Sequence, residues 1–161
     1  MKKTACFTGH RSIPDNIEDF SNKLYDVIER LITEYNLTDF FVGGAYGFDA
    51  VASLSVLKLR MKYPHIKLHL ILPCSNDEQT KNWTADRIAD FKHILELADT
   101  VEYTSNSYYN GCMKVRNARL MECASECCIC YYNPCNWRSG TGQTVRMAQR
   151  KGIEIINVYE Q

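Results

Sequence analysis

No stretch of this sequence approaches the roughly 20 consecutive apolar residues that a helix needs to cross a bilayer. The start, Met1-Lys2-Lys3, runs straight into Thr4-Ala5-Cys6-Phe7-Thr8-Gly9, an apolar run too short for the core of a secretion signal. The expectation is a cytoplasmic chain without a membrane partner. A surplus of charge is missing too: Lys plus Arg and Asp plus Glu each number 19, for a formal net charge of zero. Nonspecific binders of nucleic acid carry a basic excess to neutralise phosphates, so nucleic acid is not an expected partner. There is no basic arm, acidic tail, internal repeat, low-complexity tract or linker. The GxGxxG dinucleotide fingerprint and the GxxxxGK(S/T) phosphate loop are absent as well.

What is present suits a folded domain. The chain has 161 residues, 45% hydrophobic and 24% charged, a balance that excludes disorder as the main state. One domain over 1–161 is expected, able to remove roughly 70% of its unfolded surface from water. Short apolar runs alternate with amphipathic stretches. Strands are predicted at 4–7, 39–42, 67–72, 100–103, 127–132 and 154–158. Helices are predicted after Asp15, at about 47–61, around 83–98, at about 113–125 and at about 141–150. Asp15 with Glu18 reads as a capping box at the first helix, and Asn36 as its left-handed stop. Strands alternating with helices at this spacing mean right-handed crossovers. The fold class is α/β: a Rossmann-like, mainly parallel sheet with helices on both faces.

Ligands of such sheets bind beyond the carboxyl ends of the strands, where strand order reverses. Three segments follow strands there. Thr8-Gly9-His10-Arg11 offers a tight turn, a hydrogen-bond donor and a guanidinium that can fork onto phosphate. Gly43-Gly44-Ala45-Tyr46-Gly47-Phe48-Asp49 exposes backbone N–H groups at a helix N-terminus, a cradle for an anion. Asp49 has two readings that stay open, a stabiliser of the helix dipole or an acceptor for a ribose hydroxyl. Ser139-Gly140-Thr141-Gly142, with Thr144, forms a second small-residue loop opening a helix. Arg116 and Asn117, in the first turn of another helix, are set to point into the same cleft. Tyr108 and Tyr109 are either stacking groups for a base or loop anchors. Two such loops, each after a strand and before a helix, point to a ligand site.

In this order the segments resemble the SLOG superfamily, which groups Smf/DprA-type DNA-processing proteins with lysine-decarboxylase-like LOG proteins. The match is with its YpsA-like branch of bacterial and phage proteins. It extends over nearly the whole chain; the TGHR start and the GGAxGFD block are its specific parts. The resemblance implies a Rossmann-like sheet, a site for a nucleotide, nucleotide sugar or ADP-ribose-like molecule, and self-association as a homo-oligomer. LOG relatives cleave the N-glycosidic bond of nucleoside monophosphates with an arginine in an MxxRK-like segment and a glutamate in PGGxGTxxE. Met113 to Asn117 matches the first, with Arg116 in the arginine's place. The second departs from the pattern: no proline leads Ser139-Gly140-Thr141-Gly142, and Arg146 stands about where the glutamate belongs. Glycosidic cleavage needs a carboxylate, and Asp49 and Glu122 are the remaining candidates.

Three function classes are compatible with this pattern: binding or sensing of a nucleotide-derived molecule, hydrolysis of a nucleotide N-glycosidic bond, and single-stranded DNA binding as in the DNA-processing relatives. No metal or cofactor is expected. Of eight cysteines, Cys127, Cys128 and Cys130 fall on one predicted strand. Alternation sends Cys127 to one face and the other two to the opposite face, which suits core packing better than metal ligation. Cys135, in a loop near the cleft, is the thiol expected to be accessible.

Overall fold

The computed structural model describes residues 2–160. Strand β1 spans Thr4–Gly9 and is followed by α1 (Ile17–Thr33), β2 (Asp39–Val42), α2 (Phe48–Lys62) and β3 (Lys67–Leu72). Then come α3 (Asn76–Gln79), α4 (Ala85–Leu97), β4 (Thr100–Tyr103), α5 (Cys112–Cys123) and β5 (Cys127–Tyr131). A 3-10 turn at Pro134–Asn136, α6 (Gly140–Lys151) and β6 (Glu154–Asn157) complete the order. The six strands form one sheet in the order β4-β3-β2-β1-β5-β6, every neighbouring pair parallel.

Every residue of β5 is buried, as are four of the six in β1. Strands covered on both faces need continuous apolar runs, and Cys127-Cys128-Ile129-Cys130-Tyr131 supplies one. The two edge strands, β4 and β6, begin and end on exposed residues. Helices α1, α2 and α4 enclose the larger core on one face, with Phe7, Leu24, Phe40, Phe48 and Leu70 at its centre. Helices α5 and α6 enclose a smaller one around Cys6, Leu120, Cys128, Cys130 and Val145. Cys127 faces the first core while Cys128 and Cys130 face the second, as strand alternation requires. Burial pushes the Cys127 thiol up to about 12, so it packs as a small neutral hydrophobe. Cys135 is exposed.

Helix boundaries depart from the sequence pattern in three places. The N-cap of α1 is Asn16 rather than Asp15: its side-chain oxygen accepts from the Asp19 N–H at 3.2 Å. The carbonyl of Asp15 is taken by the Ile17 N–H at 3.0 Å, so the chain is still turning at that residue. Trp83 lies ahead of α4, whose cap is Thr84. Helix α3 has only four residues, too few for any periodicity to announce. At the end of α5, Lys151 Nζ donates to the carbonyls of Met121 at 2.7 Å and Ala124 at 2.6 Å. A cation there satisfies carbonyls the helix leaves open and opposes the negative end of its dipole. No described helix is long and apolar enough to cross a membrane.

At the amino ends of the strands, Asp39 Oδ2 and His69 Nε2 are 2.6 Å apart. Thr100 Oγ1 lies 2.6 Å from His69 Nδ1 and the Thr38 hydroxyl donates to Asp39 Oδ1 at 2.7 Å. Burial alone would raise the Asp39 pKa, but these hydrogen bonds outweigh it and hold the carboxyl below its ordinary value. A depressed carboxylate stabilises the fold at neutral pH, and that contribution is lost as pH falls through the folded-state pKa. Asp39→Ala leaves a buried imidazole without its partner. It is expected to cost about 2–4 kcal/mol in urea denaturation at pH 7, with the deficit shrinking on the acid side of pH 4.

Candidate functional site

Strand β1 sits where the sheet changes direction. From it the chain steps outward through β2, β3 and β4, then returns to lay β5 against the other side of β1. Beyond the carboxyl ends of β1 and β5 the crossovers diverge and leave a crevice. A cleft of about 360 Å³ opens there.

Ten of the residues singled out in the sequence line it together: Gly9, His10, Arg11, Gly43, Asp49, Arg116, Asn117, Ser139, Gly140 and Thr141. Four others lie behind the lining. Gly44 turns with φ 77° and its carbonyl accepts from Gln79 Nε2 at 2.9 Å. Gly47, at φ 85°, lets α2 start against the Arg11 backbone; a Cβ there would lie 2.3 Å from the Arg11 carbonyl oxygen. Gly142 backs onto the Trp137 carbonyl. Thr144 is fully buried and donates to the Gly140 carbonyl at 2.9 Å. Tyr108 and Tyr109 are exposed and outside the lining. Glu122 is also outside it, held by Arg119 at 3.2 Å on the surface, and Arg146 instead donates to the Trp137 carbonyl at 2.6 Å.

The cleft adds Phe7, Thr8, Ala45, Met113 and Leu120, none of which the sequence reading named individually as a site residue. The last two were accessible to it: Met113, Arg116, Asn117 and Leu120 stand at i, i+3, i+4 and i+7, one face of α5.

Arg116 is the central side chain. It is 5% exposed; its Nη1 donates to the Gly43 carbonyl and its Nε donates to Asn117 Oδ1 at 2.8 Å. Nη2 has no acceptor among the described residues, so those N–H groups remain for a ligand. Gly43 is required by this contact, because a Cβ would come within 2.4 Å of Nη1. Asn117, with its oxygen engaged by Arg116, keeps Nδ2 as a donor beside Gly140.

Asp49 lies in the first turn of α2, 6% exposed. Oδ2 accepts from the Ala45 N–H at 3.2 Å, while Oδ1 is buried without a partner. Burial raises its pKa to about 6, against the pull of Arg116, the Ala45 N–H and Arg11. His10 is shifted the other way: burial lowers its pKa, and its Nε2 accepts from the Asn133 N–H at 2.9 Å. The ring is therefore neutral with its proton on Nδ1.

Helices α2 and α6 both begin at this cleft. In α6, Ser139 Oγ caps the Gly142 N–H at 3.1 Å, and the N–H groups of Gly140 and Thr141 take no acceptor among the described residues. Two guanidiniums, Arg11 and Arg116, stand against the single carboxylate of Asp49 in the lining. Positive helix ends, free N–H donors and a net positive side-chain charge form an environment for an anion. Among the described residues no group of three or more His, Cys, Asp or Glu side chains is placed to hold a metal ion.

A sequence model described as the YspA SLOG family, YpsA, matches residues 6–159. The chain belongs to this family. It is 42% identical over 80 residues to the SPbeta prophage-derived protein YoqJ of Bacillus subtilis (strain 168), covering 50% of this chain and 46% of that protein. A UPF0398 protein of Halalkalibacterium halodurans is 28% identical over 107 residues, 66% of this chain and 53% of the relative. One from Staphylococcus epidermidis is 26% identical over 126 residues, 73% of this chain and 65% of the relative. The matched segments thus span about half of the first two relatives and just under two thirds of the third.

The raised Asp49 has a sign that can be measured. A carboxyl whose folded pKa exceeds its unfolded value binds more protons when folded, so it lowers stability as pH rises through the window from about 4 to about 6. At 1.36 kcal/mol per pH unit, the burden at pH 7 is on the order of 2–3 kcal/mol. Asp49→Asn is expected to stabilise the protein by about that amount in urea denaturation at pH 7.5 and by almost nothing at pH 3.5.

Proposed function

We propose that this YspA-family chain binds a nucleotide-derived small molecule in the cleft between the ends of β1 and β5. The observation that carries the reading is the convergence, at the topological switch point, of two helix N-termini with the buried Arg116 and its free Nη2. A phosphate fits between the α6 N–H groups and Arg116, where each contact is a charge-assisted hydrogen bond. Asp49 suits a ribose hydroxyl: Oδ1 has no protein partner and a hydroxyl would supply one. The neutral His10 ring adds a donor at Nδ1.

One observation favours a second reading, hydrolysis of a nucleotide N-glycosidic bond. Such a reaction needs a carboxylate beside the anomeric carbon, and Asp49 is the carboxylate in the lining. Its pKa of about 6 leaves it mostly ionised at neutral pH yet close enough to exchange a proton. In this reading Asp49 stabilises the oxocarbenium-like centre or takes the proton of the attacking water, while Arg116 holds the phosphate.

A thermal-shift series over nucleoside monophosphates, nucleotide sugars and ADP-ribose, with chromatography of each mixture, tests both readings. A ligand at roughly 100 times its Kd is expected to raise Tm by about 5–10 °C. Arg116→Ala is expected to abolish the rise when compared with that variant's own unliganded Tm. Affinity is expected to fall below pH 6 as Asp49 gains its proton and ceases to be a pure acceptor. Free base in the mixture would establish hydrolysis; a shift without product would establish binding. No shift with any nucleotide would overturn the proposal.

A further inference from the structure

Asp49 borders two recesses. It lines the cleft, and it also lines a small cavity of about 10 Å³ walled by α2 and α4. Ser53 lines the same cavity, one turn further along α2, and residues four apart on a helix share a face. Ser53 is 1% exposed, and its Oγ has no hydrogen-bond partner among the described residues. Asp49 Oδ1 is in the same condition. Nearly all buried polar groups are bonded, so two orphans one turn apart against one cavity call for a shared cause. Gln79 Oε1 is the third such atom among the described residues, but Gln79 lies outside the cavity lining. Much of the remaining wall is apolar, with Trp83, Phe91 and Ile94. Packing alone does not ask for a serine here. Its buried neighbours on α2 are Ala52, Val56 and Leu57, and an alanine would fill nearly the same space without a hydroxyl to strip of water.

We propose that Ser53 is a positioning residue for Asp49, its hydroxyl acting on Oδ1 through one water held between them in the cavity. A void of about 10 Å³ is the size of a single water. The water accepts from the Ser53 hydroxyl and donates to Asp49 Oδ1, so one molecule satisfies both orphans. An ionised carboxylate takes the stronger hydrogen bond, so the bridge favours the charged form of Asp49. A carboxylate oxygen carries two lone pairs, so Oδ1 remains an acceptor toward the cleft. The charged and titratable groups around Asp49 are Arg116 on α5, Arg11 and His10 after β1, and Arg87 and Tyr46 in the cavity wall. Arg116 and Arg11 act on the carboxylate by charge; Ser53 adds a directional donor, which fixes the orientation of the carboxylate. The consequence for ligand binding rests on the cleft reading above. The coupling of Ser53 to Asp49 does not.

Carbon-13 NMR titration of the Asp49 carboxyl in the full chain, assigned by its loss in Asp49→Asn, tests the coupling without any ligand. Ser53→Ala is expected to move the midpoint up by about one pH unit, because a hydrogen bond to the charged form is removed. Ser53→Thr keeps the hydroxyl and is expected to hold the wild-type midpoint. A serine that merely fills space would leave the midpoint where it is. An unchanged midpoint in Ser53→Ala, or one that moves as far in Ser53→Thr, overturns the proposal. A high-resolution crystal structure is expected to show one ordered water bonded to both Ser53 Oγ and Asp49 Oδ1. A Ser53 hydroxyl turned onto a carbonyl of its own helix, with no such water, overturns the bridge. Calorimetry with adenosine monophosphate separates this inference from the cleft reading. The loss of affinity on the acid side is expected to begin about one pH unit higher in Ser53→Ala than in the wild-type protein. Binding with the same acid-side profile in both proteins overturns the role of Ser53 and leaves the cleft reading standing. Failure of the wild-type protein to bind adenosine monophosphate counts against the cleft reading, and the ligand-free titration alone then decides the coupling.

Discussion

A single buried guanidinium ties the two halves of this molecule together at the point where the sheet reverses. Arg116 rises from α5, which covers one face of the sheet, and donates to the carbonyl of Gly43, at the end of a strand that leads to a helix on the other face. A buried charge is costly unless its hydrogen bonds are filled. The surroundings are arranged to fill them: residue 43 has no side chain to obstruct the approach, Asn117 turns its oxygen toward Nε, and Asp49 supplies the opposing charge at longer range. Burial still pulls the arginine's pKa below its ordinary value. An anion at Nη2 would complete the set.

The two buried aspartates show how hydrogen-bond partners decide which way a buried carboxyl is shifted. Asp39 has a hydrogen-bond donor on each carboxylate oxygen and sits below its ordinary pKa. Asp49 has one oxygen unpartnered and sits well above it. The same side chain is stabilising at the amino ends of the strands, on β2, and a burden beyond their carboxyl ends, in the first turn of α2. Unsatisfied and perturbed groups gather where a protein works rather than where it merely holds together. Asp49 lies at the carboxyl ends of the strands, where ligands of this architecture bind.

Strand positions were legible because the strands are short, apolar and bounded by turn residues; β2, β3 and β4 begin and end where the pattern put them. The glycine loops were legible as loops but not by purpose. Gly43 clears space for Arg116, whereas Gly47 and Gly142 clear space for the chain's own backbone, and a missing Cβ looks the same in the sequence either way. The order β4-β3-β2-β1-β5-β6 depends on contacts far apart in the chain and left no local trace. The cavity between α2 and α4 was hidden for a related reason: its size is set by how closely two helices pack. Asp49 was visible as a first-turn acid, but its unpartnered oxygen and raised pKa come from burial that exists only in the folded domain.

The register of β1 against β5 sets an order of events. Ala5 pairs with Cys127 and Gly9 with Tyr131, partners separated by most of the chain. Strands β1 to β4 and helices α1, α2 and α4 can begin to assemble from sequence already synthesised, although Cys127, Ile129 and Tyr131 of β5 are needed to complete the larger core. The crevice cannot. Its walls include the turn from Ser139 to Thr141, so on the ribosome the cleft can close only after the segment through the start of α6 has emerged. Loop-closure entropy must be met before those distant pairings return any stabilisation. A molecule bridging Arg11 to the start of α6 would act as a clamp on that last docking step.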